Sequence, residues 1–337
     1  MTLGPALPAL DHLVSLLERV DRGCRRVLTI LTYHRIDVRG ARPELDPALI
    51  SASPREFEQQ VSWLSGHARV LSLGELLELK RSRDRPPPRA VLMTFDDAYR
   101  DFAEHAWPAL RAHGMPATLF VASAYPGSAS ACFWWDRLHR ALSCTPRRDL
   151  LATRAGDLAL TKQSDRAEAH RALCAWVVRA PHAEAMAEVE RVVEALGGVA
   201  RRASPVLSWD ELRQLAGEGV TLAPHSRTHP RLDRVATEQA REEIVGSRDD
   251  LIREIGRCPP AFAFPGGGHD ARLRNLLKEA GVEVAFTTRR GSNDVSRADW
   301  LALQRTNVGR ASSLPVIRAQ LLSWPARASA VRARARR

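Results

Sequence analysis

Short apolar runs alternate with amphipathic stretches along most of the chain. The runs are rich in β-branched and aromatic residues, which favours buried strands over helix segments. The predicted strands are residues 27–33, 69–73, 90–95, 117–122, 220–223, 261–264 and 284–288. Since helix-period stretches lie between most of them, the repeating order is strand, loop, helix. This order predicts βα units that build a parallel sheet or an α/β barrel.

Helix start and stop signals support this order. One predicted helix begins at Pro54 directly after Ser53, and serine caps helix N-termini while proline is favoured in the first turn. Two further predicted helices end at Gly114 and Gly281, because glycine readily adopts the left-handed conformation that terminates a helix. These signals place helices where βα units require them.

The pattern changes between residues 127 and 203. No convincing strand occurs there, and RAEAHRALCAWVVRA and AEAMAEVERVVEALGG have helical periodicity. We therefore predict an α/β barrel formed by residues 25–126 and 204–323, interrupted by a helical insertion at 127–203. The aromatic residues at its entrance either anchor the insertion in the core, which is the favoured interpretation, or offer a stacking surface to a ligand ring. These aromatic residues are Phe133, Trp134 and Trp135.

Composition places the chain among ordinary globular proteins. Its 337 residues are 45% hydrophobic and 26% charged, so disorder is not expected for the whole chain. The formal net charge is +11, and five arginines lie in the last eleven residues. We predict that residues 324–337 form a solvated, disordered basic tail, with contact to an anionic membrane as the alternative. Nucleic-acid binding is not predicted, because aromatic residues make up only 6% and no basic stripe is present.

Cysteine usage and the lack of targeting signals indicate the compartment. The five cysteines are scattered and never form a CxxC pair, so neither a disulfide framework nor a thiolate zinc site is expected. No apolar run approaches the length of a membrane span, and the N-terminal stretch does not resemble a signal peptide. We predict a cytoplasmic protein whose basic tail could contact the inner membrane peripherally.

Two adjacent carboxylates, Asp96 and Asp97, directly follow the strand predicted at 90–95. One of them could cap a helix that begins at Ala98, which leaves the other unexplained. Active sites of α/β barrels lie at the carboxyl ends of the strands. A helix cap and a functional site that holds a positive charge are therefore equally consistent with the two carboxylates.

Two histidines, His225 and His229, lie four residues apart after another predicted strand. On a helix this spacing puts both rings on one face, but Pro224 and Pro230 flank the pair and disfavour helical geometry. We predict a tight turn that directs two nitrogens at one cation. Two histidines with one aspartate are typical of hydrolytic metal sites, where coordination positions stay open for water and substrate.

A third candidate segment, AFAFPGGGHD, ends a predicted strand in Pro265 and three glycines. Glycines let the backbone approach a ligand closely, and the N–H of Gly266 could stabilise a developing oxyanion. The segment lacks the lysine and hydroxyl residue of a phosphate-binding P-loop. By itself this signal is weak.

Together the three segments resemble the polysaccharide deacetylases, metal-dependent carbohydrate esterases that share the NodB homology domain of chitooligosaccharide deacetylase. The matching motifs occur in the family order and are TFDD (94–97), HSRTH (225–229) and FAFPGG (262–267). The resemblance implies a distorted (β/α) barrel with fewer than eight repeats. It also implies hydrolytic N-deacetylation of N-acetylhexosamine units in an oligosaccharide, polysaccharide or glycan precursor.

The resemblance assigns roles to the motif residues. It implies that Asp97, His225 and His229 bind a divalent metal ion, most often zinc, and that Asp96 is the general base. Such an ion would polarise the acetyl carbonyl and acidify a bound water, while Asp96 removes the proton of that water. The oxyanion would then be shared between the ion and a backbone N–H near Gly266.

The chain departs from the family pattern at two points. Ala263 occupies the place of the arginine that many members carry two residues before the motif proline, and the late leucine–histidine motif that supplies the general acid is missing from LALQRTNVGR. The acid is therefore unassigned, with His34 and His269 as candidates. We predict that Arg305, from its position at a strand end, holds Asp96 in place.

Two other functions stay open on this evidence. One is a catalytically silent glycan-binding protein that keeps the barrel but lacks the acid. The intact Asp and His set argues against it, because a silent site has no need of two charges at one strand end. The other is a barrel hydrolase that uses the same metal chemistry on another non-peptide C–N bond, such as a cyclic amide.

Overall fold

The computed structural model describes residues 6–20, 27–128, 131–198 and 204–322. Its strands are β1 (Val27–Tyr33), β2 (Arg35–Ile36), β3 (Ile50–Ala52), β4 (Arg69–Leu71), β5 (Ala90–Phe95), β6 (Thr118–Val121), β7 (Asp149–Thr153), β8 (Gly156–Ala159), β9 (Thr221–Pro224), β10 (Ala261–Ala263), β11 (Val284–Arg290), β12 (Asn293–Asp294) and β13 (Leu303–Asn307). Its α-helices are α1 (Ala6–Val20), α2 (Pro54–His67), α3 (Leu73–Ser82), α4 (Trp107–Ala112), α5 (Trp134–Cys144), α6 (Gln163–Val177), α7 (His182–Ala195), α8 (Trp209–Gly217), α9 (Thr237–Ile255), α10 (Ala271–Glu279) and α11 (Leu314–Gln320).

Seven parallel strands of the described residues form a nearly closed barrel in the order β10-β11-β13-β1-β5-β6-β9. The two end strands, β9 and β10, are neighbours without a strand pairing between them in this part of the chain. One seam of the barrel is therefore open. The predicted fold class, a distorted α/β barrel with fewer than eight repeats, is confirmed.

The distortion is clearest at β5. One edge of this strand pairs with β1 along its whole length. The opposite edge is shared, since β4 pairs with Ala90–Leu92 and β6 pairs with Thr94 and Phe95. Two strands thus occupy the place that a single strand would fill in a regular barrel.

Alternation along the strands divides the core into two layers. Leu28 and Ile30 of β1 belong to a cluster with residues such as Phe120 and Phe286 from other barrel strands. Residues of the opposite parity, such as Tyr33, pack outward against α2 instead. Successive side chains of a strand point to opposite faces, and both layers are apolar, which is why these strands are continuous apolar runs in the sequence.

Most of the predicted strands agree with the structure. The predictions 27–33 and 90–95 match β1 and β5, and the others deviate by only a few residues at their ends. The predicted set lacks β13, because LQRTN contains no apolar run although Arg305 and Thr306 are buried.

The segment after Asp97 is less regular than the single helix predicted there. Phe102–Ala106 forms a π-helical turn, and α4 begins only at Trp107. Pro108 lacks a backbone N–H and its ring crowds the preceding turn, which accounts for the interruption. The segment still ends at Gly114, where φ is +61°.

The insertion has its own hydrophobic cluster, built from α5, α6 and α7 with Leu150 and Leu160. The prediction that it contains no strand was wrong, because β7 and β8 form an antiparallel hairpin. Most side chains of this hairpin are exposed, so it lacks the apolar run on which strand prediction depends. Phe133 and Trp135 pack in the barrel core, whereas Trp134 contacts both clusters.

Among the described residues, no helix combines the length and the apolar character needed to cross a bilayer. The predicted basic tail at 324–337 lies outside the described residues.

Candidate functional site

The motif residues meet at the carboxyl end of the barrel. Asp96 and Asp97 follow β5, His225 follows β9, and Gly266 follows β10 by a short turn. All of them line one cavity of about 390 Å³, together with His34 and His229. Since parallel strands of a barrel end at a common face, residues far apart in sequence converge there.

Asp97, His225 and His229 are arranged as a metal-ligand set. One donor atom of each lies within 4.8 Å of the others. Asp97 Oδ1 is 3.3 Å from His229 Nε2 and 3.7 Å from His225 Nε2. This oxygen is buried and accepts no hydrogen bond from the described residues. A buried, unpartnered carboxylate oxygen facing two imidazole nitrogens fits a divalent cation.

His225 is held in the orientation that a ligand needs. Its Nδ1 donates a hydrogen bond to the carbonyl oxygen of Ala263 at 2.8 Å, which leaves the lone pair on Nε2. Burial lowers the pKa of His225 to about 4, so the ring is neutral at pH 7 and can ligate. Burial acts to raise the pKa of Asp97, but the facing histidines, His229 first, outweigh it and lower that pKa.

The turn from His225 to His229 is stabilised by Glu243 of α9. Its Oε2 accepts hydrogen bonds from the backbone N–H groups of Arg227 at 2.7 Å and Thr228 at 2.9 Å. The side-chain oxygen of Ser226 accepts the N–H of His229 at 3.1 Å. The segment is thus a turn, as its flanking prolines predict.

Backbone strain is concentrated at this site. Four non-glycine residues next to the cavity have positive φ, namely Asp97 (72°), Ala98 (52°), Ser226 (62°) and His229 (61°). No α-helix begins at Ala98, so neither aspartate is the helix cap considered as the alternative. Left-handed backbone at non-glycine residues costs free energy and commonly marks functional sites.

Asp96 faces Arg305 of β13 in a bidentate ion pair. Arg305 Nη1 and Nη2 donate to the two carboxylate oxygens at 2.8 and 2.7 Å, and Arg305 Nε donates to the carbonyl of Thr287 at 2.8 Å. Both side chains are buried. Burial acts to raise the pKa of Asp96, but the charges of Arg305 and His225 outweigh it and hold this pKa below its usual range. Asp96 is therefore ionised at neutral pH.

The two candidates for the general acid differ in their position relative to the cavity. His34 follows β1 and lines the cavity beside both aspartates. His269 does not line it, since its Nδ1 contacts the carbonyl of Gly267 at 3.0 Å and its ring stacks on Phe264.

The insertion forms the opposite wall of the cavity. Of the residues in this wall, the sequence analysis considered only Trp134 and Trp135 as possible ligand contacts. Aliphatic residues and one further histidine face the carboxylates across the cavity. The wall residues are Trp134, Trp135, Val177, Val178, Ala180, His182, Ala185 and Met186. No local signal marks them, because their position depends on how the insertion folds back over the barrel.

Comparison with known proteins identifies the family. A family model described as Polysaccharide deacetylase matches residues 83–285. The poly-beta-1,6-N-acetyl-D-glucosamine N-deacetylase of Staphylococcus aureus (strain MSSA476) is 37% identical over 78 residues, which are 23% of this chain and 27% of that protein. The match thus spans about a quarter of the length of this relative.

Solved structures share the fold over most of the chain. The Streptococcus pyogenes deacetylase PplD in complex with acetate has a TM-score of 0.59 at 18% identity, covering 88% of this chain and 98% of that one. IcaB from Ammonifex degensii has a TM-score of 0.56 at 18% identity, with the same coverage. At these identities the likeness establishes the fold.

The protein is a parallel α/β barrel with an Asp–His–His group, able to hold a metal ion, at the carboxyl ends of its strands. More than half of the chain matches the family model, and the chain belongs to the polysaccharide deacetylase family, as its motifs predicted.

Proposed function

We propose that the protein removes acetyl groups hydrolytically from N-acetylhexosamine units of an oligosaccharide, polysaccharide or glycan precursor. One observation carries the proposal. The buried Asp97 Oδ1 accepts no hydrogen bond from the part of the chain that the structure describes, and it faces His225 and His229 directly beside the ionised Asp96. Family membership and the activity for which the S. aureus relative is named support the same reaction.

We propose zinc as the resident ion, held by Asp97, His225 and His229. A carboxylate and two neutral imidazoles are ligands that zinc accepts in catalytic sites. When bound, such an ion polarises a carbonyl and lowers the pKa of water.

Asp96 is the proposed base. Water attacks the carbonyl carbon of the acetamide, and a carboxylate oxygen of Asp96 takes the proton that the water loses. Arg305 orients this carboxylate, which compensates for the missing motif arginine at Ala263. The backbone at Gly266, which borders the cavity, is the proposed partner of the developing oxyanion.

His34 is the proposed acid. Breakage of the C–N bond requires a proton on the leaving nitrogen, and acetate and a free amine are then released. Of the two histidines predicted for this step, His34 lines the cavity and His269 does not.

The insertion limits the space for substrate. Its aliphatic wall closes one side of a cavity whose volume of about 390 Å³ lies near the lower end of typical ligand pockets. A cavity of this volume favours a terminal sugar or a short glycan over the middle of a long polymer.

The test is acetate release by chelator-treated protein reloaded with zinc or cobalt. Substrates are β-1,4- and β-1,6-linked N-acetylglucosamine oligosaccharides of increasing length. Asp96→Asn and Asp97→Asn should abolish release, whereas Asp210→Asn, at a carboxylate whose side chain is 90% exposed, should not. Sugar binding without acetate release would favour the silent glycan-binding protein. Ring opening of a cyclic amide, without acetate release from any oligosaccharide, would favour the other hydrolase.

We also propose that the protein acts at the cytoplasmic face of the inner membrane through the basic residues 324–337. Their charge in the sequence supports this proposal. Sedimentation with anionic vesicles should depend on these residues and weaken with salt, and equal sedimentation after their deletion would contradict it.

A further inference from the structure

A second cluster of metal-ligating side chains lies where the insertion meets the barrel. Asp46 precedes β3 in the barrel, whereas His139 and His170 lie on α5 and α6 of the insertion. One ligand atom of each residue lies within 4.8 Å of the others. Asp46 and His170 are buried, and His139 is partly buried. The cluster therefore joins two parts of the molecule that have separate hydrophobic clusters.

Both histidines are oriented by backbone carbonyls. His139 Nε2 donates to the carbonyl of Pro43 at 3.1 Å, and His170 Nε2 donates to that of Trp135 at 3.0 Å. Nδ1 of each ring consequently carries the lone pair. Metal-binding histidines almost always donate their other ring N–H in this way, as His225 does to Ala263.

The two histidine pairs of the protein also have similar geometry. The rings of His139 and His170 are 5.4 Å apart at 80°. Those of His225 and His229 are 4.8 Å apart at 75°.

The remaining donor, Asp46, completes the set. Asp46 Oδ1 accepts the backbone N–H of Ala48 at 2.9 Å, which fixes the carboxylate and leaves its second oxygen for a ligand. Carboxylate and imidazole donors together suit zinc and similar ions better than magnesium or calcium.

We propose that Asp46, His139 and His170 form a second binding site for a divalent transition-metal ion. This ion fastens the insertion to the barrel and so holds the insertion wall over the catalytic cavity. The site is separate from the Asp97 set, and the proposal does not depend on the reaction that the protein catalyses.

The experiment counts ions. Tag-free protein is stripped with chelator, loaded with zinc, freed of excess metal and analysed by mass spectrometry for zinc per chain. We expect two ions in the wild type and one in His139→Gln/His170→Gln. We also expect one ion in Asp97→Asn/His229→Gln and none when all four changes are combined. Zinc should raise the melting temperature of the Asp97→Asn/His229→Gln variant, since its remaining ion joins insertion and barrel.

Controls separate a lost site from lost folding. His67→Gln/His113→Gln removes two histidines distant from both sets and should keep two ions. If His139→Gln/His170→Gln unfolds, Asp46→Asn provides the test, because asparagine can still accept the Ala48 N–H. Asp46→Asn should lower the affinity for the second ion by at least about tenfold. One ion in the wild type, a second ion that survives loss of both histidines, or an unchanged affinity for the second ion in Asp46→Asn would overturn the proposal.

Discussion

His225 bridges the open seam of the barrel, because its ring follows β9 and donates a hydrogen bond to Ala263 at the end of β10. These two strands have no pairing between them in the described residues. The same ring presents its other nitrogen to Asp97. One side chain therefore serves both the closure of the barrel and the predicted metal site.

This double role predicts that the two histidines differ in their effect on stability. In chelator-treated protein, His225→Ala should lower the free energy of unfolding by about 1–3 kcal/mol more than His229→Ala, because only His225→Ala leaves the buried Ala263 carbonyl without its donor. Urea denaturation of both variants measures the difference. Equal losses in the two variants would mean that the hydrogen bond from His225 to Ala263 contributes nothing to stability.

Arg305 is predicted to control both the stability and the ionisation of Asp96. Arg305→Met leaves a buried carboxylate unpaired and should cost about 3–5 kcal/mol. Burial then acts on the Asp96 pKa without its main opposing charge, so this pKa should rise and the acid limb of the pH–rate profile should move to higher pH. Arg305→Lys keeps a positive charge, so its free energy of unfolding and the position of its acid limb should both lie between those of the wild type and Arg305→Met. An unshifted acid limb in Arg305→Met would show that Asp96 is not the base.

The assignment of the acid predicts a contrast between two histidines. His34→Gln should lower kcat by about 10²–10⁴-fold with little change in KM, since proton donation to the leaving nitrogen is lost. His269→Gln, outside the cavity, should retain kcat. Steady-state acetate release measures both. The reverse pattern would identify His269 as the proton donor.

Asp136 makes stability depend on pH. Burial raises its pKa to about 7, although Tyr99 and the backbone N–H of Asp46 bond to its carboxylate. The folded state therefore keeps a proton that the unfolded state releases near pH 4. The resulting stabilisation is complete below about pH 4 and is lost as pH rises to about 7.

The matching substitution is Asp136→Asn. Its amide can accept the Asp46 N–H and donate to Tyr99, so the fold should persist. Unfolding free energies of chelator-treated protein between pH 4 and 8 should fall less steeply with pH in this variant. Parallel curves for wild type and variant would exclude Asp136 as the source of the pH dependence of stability.

Two adjacent glycines are predicted to differ in their tolerance of a side chain. A Cβ at Gly267 would lie 2.5 Å from the Thr288 backbone nitrogen and would also clash with its hydroxyl, at φ +74°. At Gly266 the nearest atom is Arg231 Cγ at 3.4 Å. Gly266→Ala should therefore cost about 1–2 kcal/mol from backbone conformation alone, and Gly267→Ala clearly more. Denaturation midpoints provide the measurement, and a smaller loss for Gly267→Ala would contradict the packing argument.

The barrel was predictable because most of its strands are short apolar runs that alternate with helix-period stretches. β13 was not, since it carries the polar sequence LQRTN between two other barrel strands. The pairing of Arg305 with Asp96 was predicted, but the strand that carries Arg305 was not, because a buried, paired arginine interrupts the apolar pattern by which strands are recognised.

The motif segments could also be predicted from the sequence, because each places aspartate, histidine or glycine residues directly after a predicted strand. The wall that the insertion contributes was not visible. Val178 and Met186 have the spacing of ordinary helix and loop residues, and only the folded arrangement brings them opposite Asp96. Sequence therefore predicted the side of the cavity built by motifs and missed the side built by long-range packing.

The separate hydrophobic cluster of the insertion has an evolutionary consequence. Residues of α6 and α7 can be exchanged against their own neighbours without disturbing the strands that carry Asp96, Asp97 and His225. The cavity wall can then diverge between descendants of one ancestral protein while Asp96, Asp97 and His225 stay constant. Trp134, which contacts both clusters, is the position where such divergence should be most restricted.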